Sequence, residues 1–113
     1  MRAWGFLTNH AHVLIQIARN PRSTVREIAL SAGITERATH AVLKDLRDAG
    51  IVIAQRNGRK NVYRVDPVAL AKHPRWGASD MMIPKPLIEA TLRGLERVAT
   101  AGAAPRDSRP SPA

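Results

Sequence analysis

The sequence predicts an α+β fold that is mainly α, in which three helices precede a β-hairpin and one further helix follows it. Three observations predict this order. A capping box opens a short amphipathic segment, a glycine turn joins it to a second segment with a basic face, and an Asn-Gly pair divides two β-rich runs. These elements can enclose one modest core, because 44% of the residues are hydrophobic.

The charge balance of the chain limits its classes of function. Its 113 residues carry a formal net charge of +9. Such a charge favours a polyanionic partner, either nucleic acid or an anionic membrane face. The sequence contains no cysteine and no apolar stretch of transmembrane length, and it lacks the pattern of a signal peptide. We therefore expect a cytoplasmic protein associated with the nucleoid, with no membrane partner.

The first central helix is predicted between a capping residue and a glycine stop. The hydroxyl of Thr24 can accept from the backbone of Glu27, whose carboxylate can reach back to the amide of Thr24. Gly33 suits the left-handed conformation that ends a helix. The apolar residues between them recur at helical spacing: Val25, Ile28, Ala29 and Ala32.

The second central helix is predicted over residues 36–49, with Thr35 as its N-cap and Gly50 as its stop. At about 100° per residue, one side contains Ala38, Val42, Leu46 and Ala49. The opposite side contains Arg37, His40, Lys44 and Arg47. Such a helix can pack on a domain and present cations to the major groove of DNA. Thr35 and the first backbone amides can also hold a phosphate.

Two carboxylates of this helix count against DNA binding. Asp45 is expected on the flank of the helix, and Asp48 lies nearer the basic side but late in the helix. The alternative is a surface helix whose outer face is merely solvated.

A basic hairpin is predicted directly after this helix. Residues 51–56 form a β-rich run, Asn57-Gly58 is a strong two-residue turn signal, and residues 59–65 form the return strand. Arg56, Arg59 and Lys60 surround the turn. The apolar strand residues expected to cover the core are Ile51, Ile53, Val62, Tyr63 and Val65.

The remaining helix of the core is predicted from Thr8 or Asn9 to about Asn20, where Pro21 ends it. Its apolar face contains Val13, Leu14, Ile17 and Ala18, extended by Leu7 and Ala11. A third, very short strand is expected near Ser23. Trp4 and Phe6 are expected to pack over this helix, or else across a partner subunit.

A three-helix core with a basic-tipped hairpin is a winged helix-turn-helix. Residues 4–67 resemble the small bacterial winged-helix regulators of the MarR/ArsR type, through the segments FLTNHAHVLIQIARNP, VREIALSAGITERATHAVLKDLRDAGIV and RNGRKNVYRV. The Gly-Ile-Thr turn before the recognition helix is present as residues 33–35. The resemblance implies a transcription factor that binds duplex DNA. It does not specify an operator or a ligand.

The expected DNA contacts follow from the second helix and the hairpin. Arg37 and His40 are the candidates to read base edges, and Lys44 and Arg47 to bind phosphates. Arg59 is expected in the minor groove. The whole predicted set is Thr35, Glu36, Arg37, His40, Lys44, Arg47, Arg56, Asn57, Arg59 and Lys60.

The chain is predicted to contain a DNA-binding domain followed by a connecting segment, a helix and a tail. Residues 1–67 form the DNA-binding domain, residues 68–86 connect it to a helix over 87–101, and residues 102–113 are expected to be a disordered tail. The helix repeats apolar residues at coiled-coil spacing, namely Ile88, Leu92, Leu95 and Ala99. We expect these residues to form a homodimer. The alternative is that this helix packs back on its own domain.

Metal binding and catalysis find little support in the sequence. His10 and His12 lie about 200° apart on a helix and cannot readily chelate one ion. Patterns of phosphate-binding loops, dinucleotide-binding loops, zinc hydrolases and serine hydrolases are not present. We expect no cofactor and no enzymatic activity.

Two further functions are compatible with the predicted fold. The domain can serve as a protein-interaction module that docks on RNA polymerase or another regulator. It can also bind DNA as an architectural protein without base preference. A protein-interaction module should show little salt-sensitive affinity for DNA, unlike a regulator. An architectural protein should bind DNA without the base preference of a regulator.

Overall fold

The computed structural model describes residues 4–77 and 82–103 of the chain. The first three helices are α1 (Asn9–Arg19), α2 (Val25–Ala32) and α3 (Glu36–Asp48). The strands β1 (Val52–Asn57) and β2 (Lys60–Val65) follow, and then α4 (Pro67–Lys72) and α5 (Lys85–Ala103). This order confirms the winged-helix prediction.

Local signals in the sequence define the ends of the first helices. The Thr24 amide donates to Glu27 Oε1 (2.8 Å), and the Glu27 amide donates to Thr24 Oγ1 (3.1 Å). The predicted capping box is therefore present. Gly33 has φ of 72°, and the Ile34 amide donates to the Ala29 carbonyl (3.0 Å), so α2 ends as a left-handed glycine allows.

The core lies where α1, α2, α3 and the hairpin meet. Val13, Ile17 and Ile28 are at most 1% exposed. The remaining buried members of the cluster are Leu14, Val42, Leu43, Leu46, Ile51, Val52, Tyr63 and Leu70. The four residues predicted as the apolar face of α1 are all buried. In α3, by contrast, Ala49 is exposed, because the helix ends at Asp48 and Ala49 is its C-cap.

The hairpin turn lies one residue later than the Asn-Gly signal suggests. Asn57 pairs with Lys60, which leaves Gly58 and Arg59 as the two turn residues. Gly58 has φ of 67°, whereas no non-glycine residue of the described chain has positive φ. These signs fit a turn with glycine at its first central position, which imposes no left-handed conformation on Asn57.

One expected core residue faces outward. Ile53 was expected to cover the core but is 41% exposed, whereas its neighbour Val52 is 2% exposed. Strand alternation begins at Val52, because Ile51 still belongs to the turn after α3, where its amide donates to the Leu46 carbonyl (2.9 Å). Ile51 and Val52 are therefore both buried.

The expected third strand is reduced to a single contact. The sheet of the described residues contains β1 and β2 only. The Tyr63 amide donates to the Pro21 carbonyl (2.8 Å), which attaches the segment before α2 to the hairpin. Ser23 is buried but belongs to no strand, and its hydroxyl accepts from the Gln16 side chain (3.0 Å).

The C-terminal part of the chain packs back on the domain. Asp66 caps α4, and the Trp76 indole donates to the Leu70 carbonyl (3.0 Å) while its ring packs against the core. The helix α5 lies against α1 and α4. It begins two residues earlier and ends two residues later than predicted. No helix in the described part of the chain is long and apolar enough to cross a membrane.

The N-terminal aromatic residues do not pack as expected within this chain. Trp4 is 77% exposed and Phe6 is 89% exposed. Both precede Thr8, the N-cap of α1, and so lie before the first helix. Of the connecting segment, Met82 is also exposed, and Ile83 is half-buried. Residues 78–81 of the connecting segment and residues 104–113 of the predicted tail lie outside the described residues.

Candidate functional site

The basic face of α3 is fully presented to solvent. Arg37, His40, Lys44 and Arg47 are all exposed, whereas Val42 and Leu46 on the other side are buried. The predicted division of this helix into an apolar and a basic face is confirmed. Since α3 packs against the core along its apolar side, the cations lie on its solvent-exposed side.

The N-terminus of α3 is held by two threonines. The Thr35 hydroxyl accepts from the Ala38 amide (3.0 Å), which caps the helix as predicted. Thr39, which is completely buried, donates its hydroxyl proton to the Thr35 carbonyl (2.9 Å). These bonds orient the first turn, which carries Glu36 and Arg37 at the surface.

Both acidic residues in the second half of α3 have partners on their own chain. Asp45 Oδ2 lies 2.8 Å from Nε2 of His10 on α1. Asp48 Oδ2 lies 2.8 Å from the ammonium Nζ of Lys44, one turn earlier on α3. The hydrogen bond and the charge of Asp48 raise the pKa of Lys44 above its ordinary value.

A groove of about 600 Å³ separates α3 from the hairpin. Its α3 side is formed by His40, Lys44, Arg47 and Asp48, and β2 contributes Asn61 and the buried Tyr63. Asp48, which was expected near the basic side of the helix, lines the groove itself, and Asn61 was not among the predicted site residues. Asn61 was detectable as the residue after Lys60 at the start of the return strand, but only the packing of the hairpin on α3 shows that it reaches this groove.

The hairpin tip carries exposed cations next to this groove. Arg59 occupies the turn and Lys60 begins β2, and both are exposed. Arg56 differs from them, because its Nε donates to the Gly58 carbonyl (3.0 Å) and so braces the turn. Asn57 is exposed and pairs with Lys60. Of the predicted residues, His40, Lys44 and Arg47 of α3 line the groove, whereas those of the hairpin tip lie beyond its lining.

The residues predicted for dimerisation lie on another part of the molecule. Leu92 and Leu95 are half-buried and pack against the core of their own domain. Ile88 is half-buried, and Ala99 is exposed. A cavity of about 830 Å³ lies beside them, between α1, the end of α3, α4 and α5.

Metal ligands do not cluster in the described part of the chain. Within residues 4–77 and 82–103, no group of three histidine, aspartate or glutamate side chains is placed to hold a metal ion. His10 is directed to Asp45, and His40 lines the groove of α3.

Comparison with known proteins identifies one family. A family model described as MarR family matches residues 4–60, which include α1, α2, α3 and β1 and end at the first residue of β2. No curated protein and no solved structure matches the chain. The matched segment contains the whole basic face of α3 and all four predicted contacts of the hairpin.

Proposed function

Because the chain belongs to the MarR family of winged-helix transcriptional regulators, we propose that it binds duplex DNA with sequence specificity and regulates transcription in the cytoplasm. One observation carries the proposal. The cationic face of α3 is exposed and borders a groove against the hairpin, whose tip carries the further exposed cations Arg59 and Lys60. A recognition helix with an adjacent basic wing is suited to a major groove and the phosphate backbone beside it.

The recognition helix supplies two kinds of contact in this proposal. Arg37 and His40 lie in its N-terminal half, which enters the major groove deepest, and they donate to base edges. Lys44 and Arg47 lie in the second half and bind phosphates. Thr35 and the first amides of α3, with Glu36 beside them, lie at the end of the helix nearest the DNA.

The hairpin follows the DNA backbone as a wing. Lys60 and Asn57 contact phosphates, and Arg59 at the turn enters the adjacent minor groove. The bond from Arg56 Nε to Gly58 keeps the turn rigid, which leaves its remaining guanidinium N–H groups for a phosphate. The net charge of +9 supports a large contribution from counterion release.

Pairing of two copies remains part of the proposal. We expect a homodimer that uses Ile88, Leu92, Leu95 and Ala99 of α5. The packing of Leu92 and Leu95 on their own core means that a second copy would meet only the parts of these side chains that remain exposed. A two-fold dimer predicts an inverted-repeat operator, with half-sites about one helical turn apart.

The proposal is tested by selecting a random duplex library on the purified protein at near-physiological salt. Enrichment of an inverted repeat is the expected result. Enrichment of a single half-site would contradict the proposed dimer but would leave sequence-specific DNA binding in place. Salt-sensitive binding without enrichment would overturn sequence specificity and leave an architectural protein. Failure to bind any duplex would overturn DNA binding and leave a protein-interaction module.

Two substitutions then separate the roles of the helix and the wing. Arg37→Ala is expected to relax base preference at one position of each half-site, at a cost of ~1–3 kcal/mol. Lys60→Ala is expected to weaken all sequences alike and to reduce the salt dependence. The division of roles is wrong if both variants weaken every sequence equally.

A further inference from the structure

We propose that Asp48 restrains DNA binding by competing with the phosphate backbone for the ammonium of Lys44. This inference rests on the proposed DNA-binding function and adds to it a residue that lowers affinity.

The position of Asp48 places it on the proposed DNA-binding face. It is the last residue of α3 and lines the groove between α3 and the hairpin, together with Lys44, Arg47 and His40. Among these side chains it is the one that carries a negative charge. A phosphate entering this groove meets the carboxylate next to the cations that would bind it.

The ion pair itself is short but accessible. Lys44 Nζ and Asp48 Oδ2 are 2.8 Å apart, and the two side chains are 74% and 65% exposed. Exposed pairs of this kind contribute little to stability, so a phosphate can replace the carboxylate at small cost to the fold. Until that exchange occurs, Asp48 neutralises Lys44 and repels a phosphate that approaches it.

The other carboxylate in this half of α3 lies elsewhere and provides a matched comparison. Asp45 pairs with His10 on α1 and lines the cavity beside α5, whereas it does not line the groove of the hairpin. The same helix therefore carries two exposed aspartates, three residues apart, that differ in the surface they face. Replacing either with asparagine changes the net charge by the same amount.

Removing the carboxylate of Asp48 restores one free cation to the groove. In the wild type, Lys44 must break its ion pair with Asp48 before it binds a phosphate, and the freed carboxylate then repels that phosphate. Asp48→Asn removes both costs. It should therefore bind random-sequence duplex about two- to fivefold more tightly, which is the range that an exposed ion pair of this kind supports. The expected gain for Asp45→Asn is less than about twofold, from the change in net charge alone.

The experiment measures the affinity of the full chain for a random-sequence duplex by fluorescence anisotropy over a series of salt concentrations. The proteins are the wild type, Asp48→Asn, Asp45→Asn, Lys44→Ala and the double variant Lys44→Ala/Asp48→Asn. Thermal melts establish that each variant is folded. Loss of a carboxylate at the C-terminal end of a helix is not expected to impair folding, because negative charge is unfavourable there.

The double variant decides whether Lys44 mediates the effect. If Asp48 acts by occupying Lys44, adding Asp48→Asn to Lys44→Ala should change affinity by less than about twofold. An undiminished gain in the double variant would overturn the competition, since Asp48 would then repel DNA directly. Equal gains for Asp48→Asn and Asp45→Asn would overturn it as well, and so would weaker binding by Asp48→Asn. If the wild type shows no salt-sensitive binding to any duplex, the proposed function itself fails, and the inference fails with it.

Discussion

His10 Nε2 lies 2.8 Å from Asp45 Oδ2, and this contact joins α1 to α3. The side chains are 49% and 66% exposed, so solvent screens their interaction. We expect the pair to contribute less than about 1 kcal/mol to the free energy of unfolding. A double-mutant cycle with His10→Ala and Asp45→Ala, followed by urea denaturation, measures the coupling directly. A coupling well above that value would show that the pair helps to fix α3 on the domain.

Ile28 is the residue through which α2 enters the buried core cluster. It is completely buried and belongs to the cluster formed with α1, α3 and the hairpin. Ile28→Ala should lower the free energy of unfolding by about 2–5 kcal/mol, because it leaves a cavity in that cluster. Leu30→Ala on the same helix is the control, since Leu30 is 74% exposed and its loss should cost no more than about 0.5 kcal/mol. Similar losses for the two variants would contradict the packing of α2.

The capping box of α2 can be tested without disturbing the core. Thr24→Ala removes the acceptor of the Glu27 amide and should cost about 1 kcal/mol of stability in chemical denaturation. Glu27→Gln keeps an oxygen that can accept from the Thr24 amide, so its effect should be smaller. An equal or larger loss for Glu27→Gln would show that the carboxylate charge at the helix N-terminus, rather than the box, provides the stability.

Replacing Gly33 or Gly94 with alanine should change the stability of the protein in opposite directions. In both Gly33 and Gly94, an added Cβ would meet nothing within 4 Å. Gly94 lies inside α5, where alanine should raise stability by ~1 kcal/mol through its higher helix propensity. Gly33 has φ of 72°, where alanine should lower stability by ~1–2 kcal/mol. Thermal unfolding of the two single variants provides the test, and shifts of the same sign would contradict this assignment of backbone conformation.

Part of the fold could be predicted from sequence because its signals are local. The capping box at Thr24, the left-handed Gly33 and the two faces of α3 each depend on residues within a few positions of one another. The exposed basic face of α3 could be predicted for the same reason, since helical periodicity alone separates Arg37 from Val42.

Other features depended on how the elements meet. The burial of Val52 rather than Ile53 depends on where strand alternation begins, which the turn after α3 determines. The exposure of Trp4 and Phe6, and the packing of Leu92 and Leu95 on their own core, depend on contacts between distant parts of the chain.

The sequence by itself determined the helices, the hairpin and the residues that carry positive charge, because periodicity and capping act over a few residues. Only the tertiary structure decided that Asp45 pairs with His10 of α1 and which element lies opposite each side of α3. Asp45 and Asp48 are three positions apart, yet one meets α1 and the other lines the groove of the hairpin. Helical periodicity separates Asp45 from Asp48 on α3, but the element that each side of the helix meets depends on packing between distant parts of the chain.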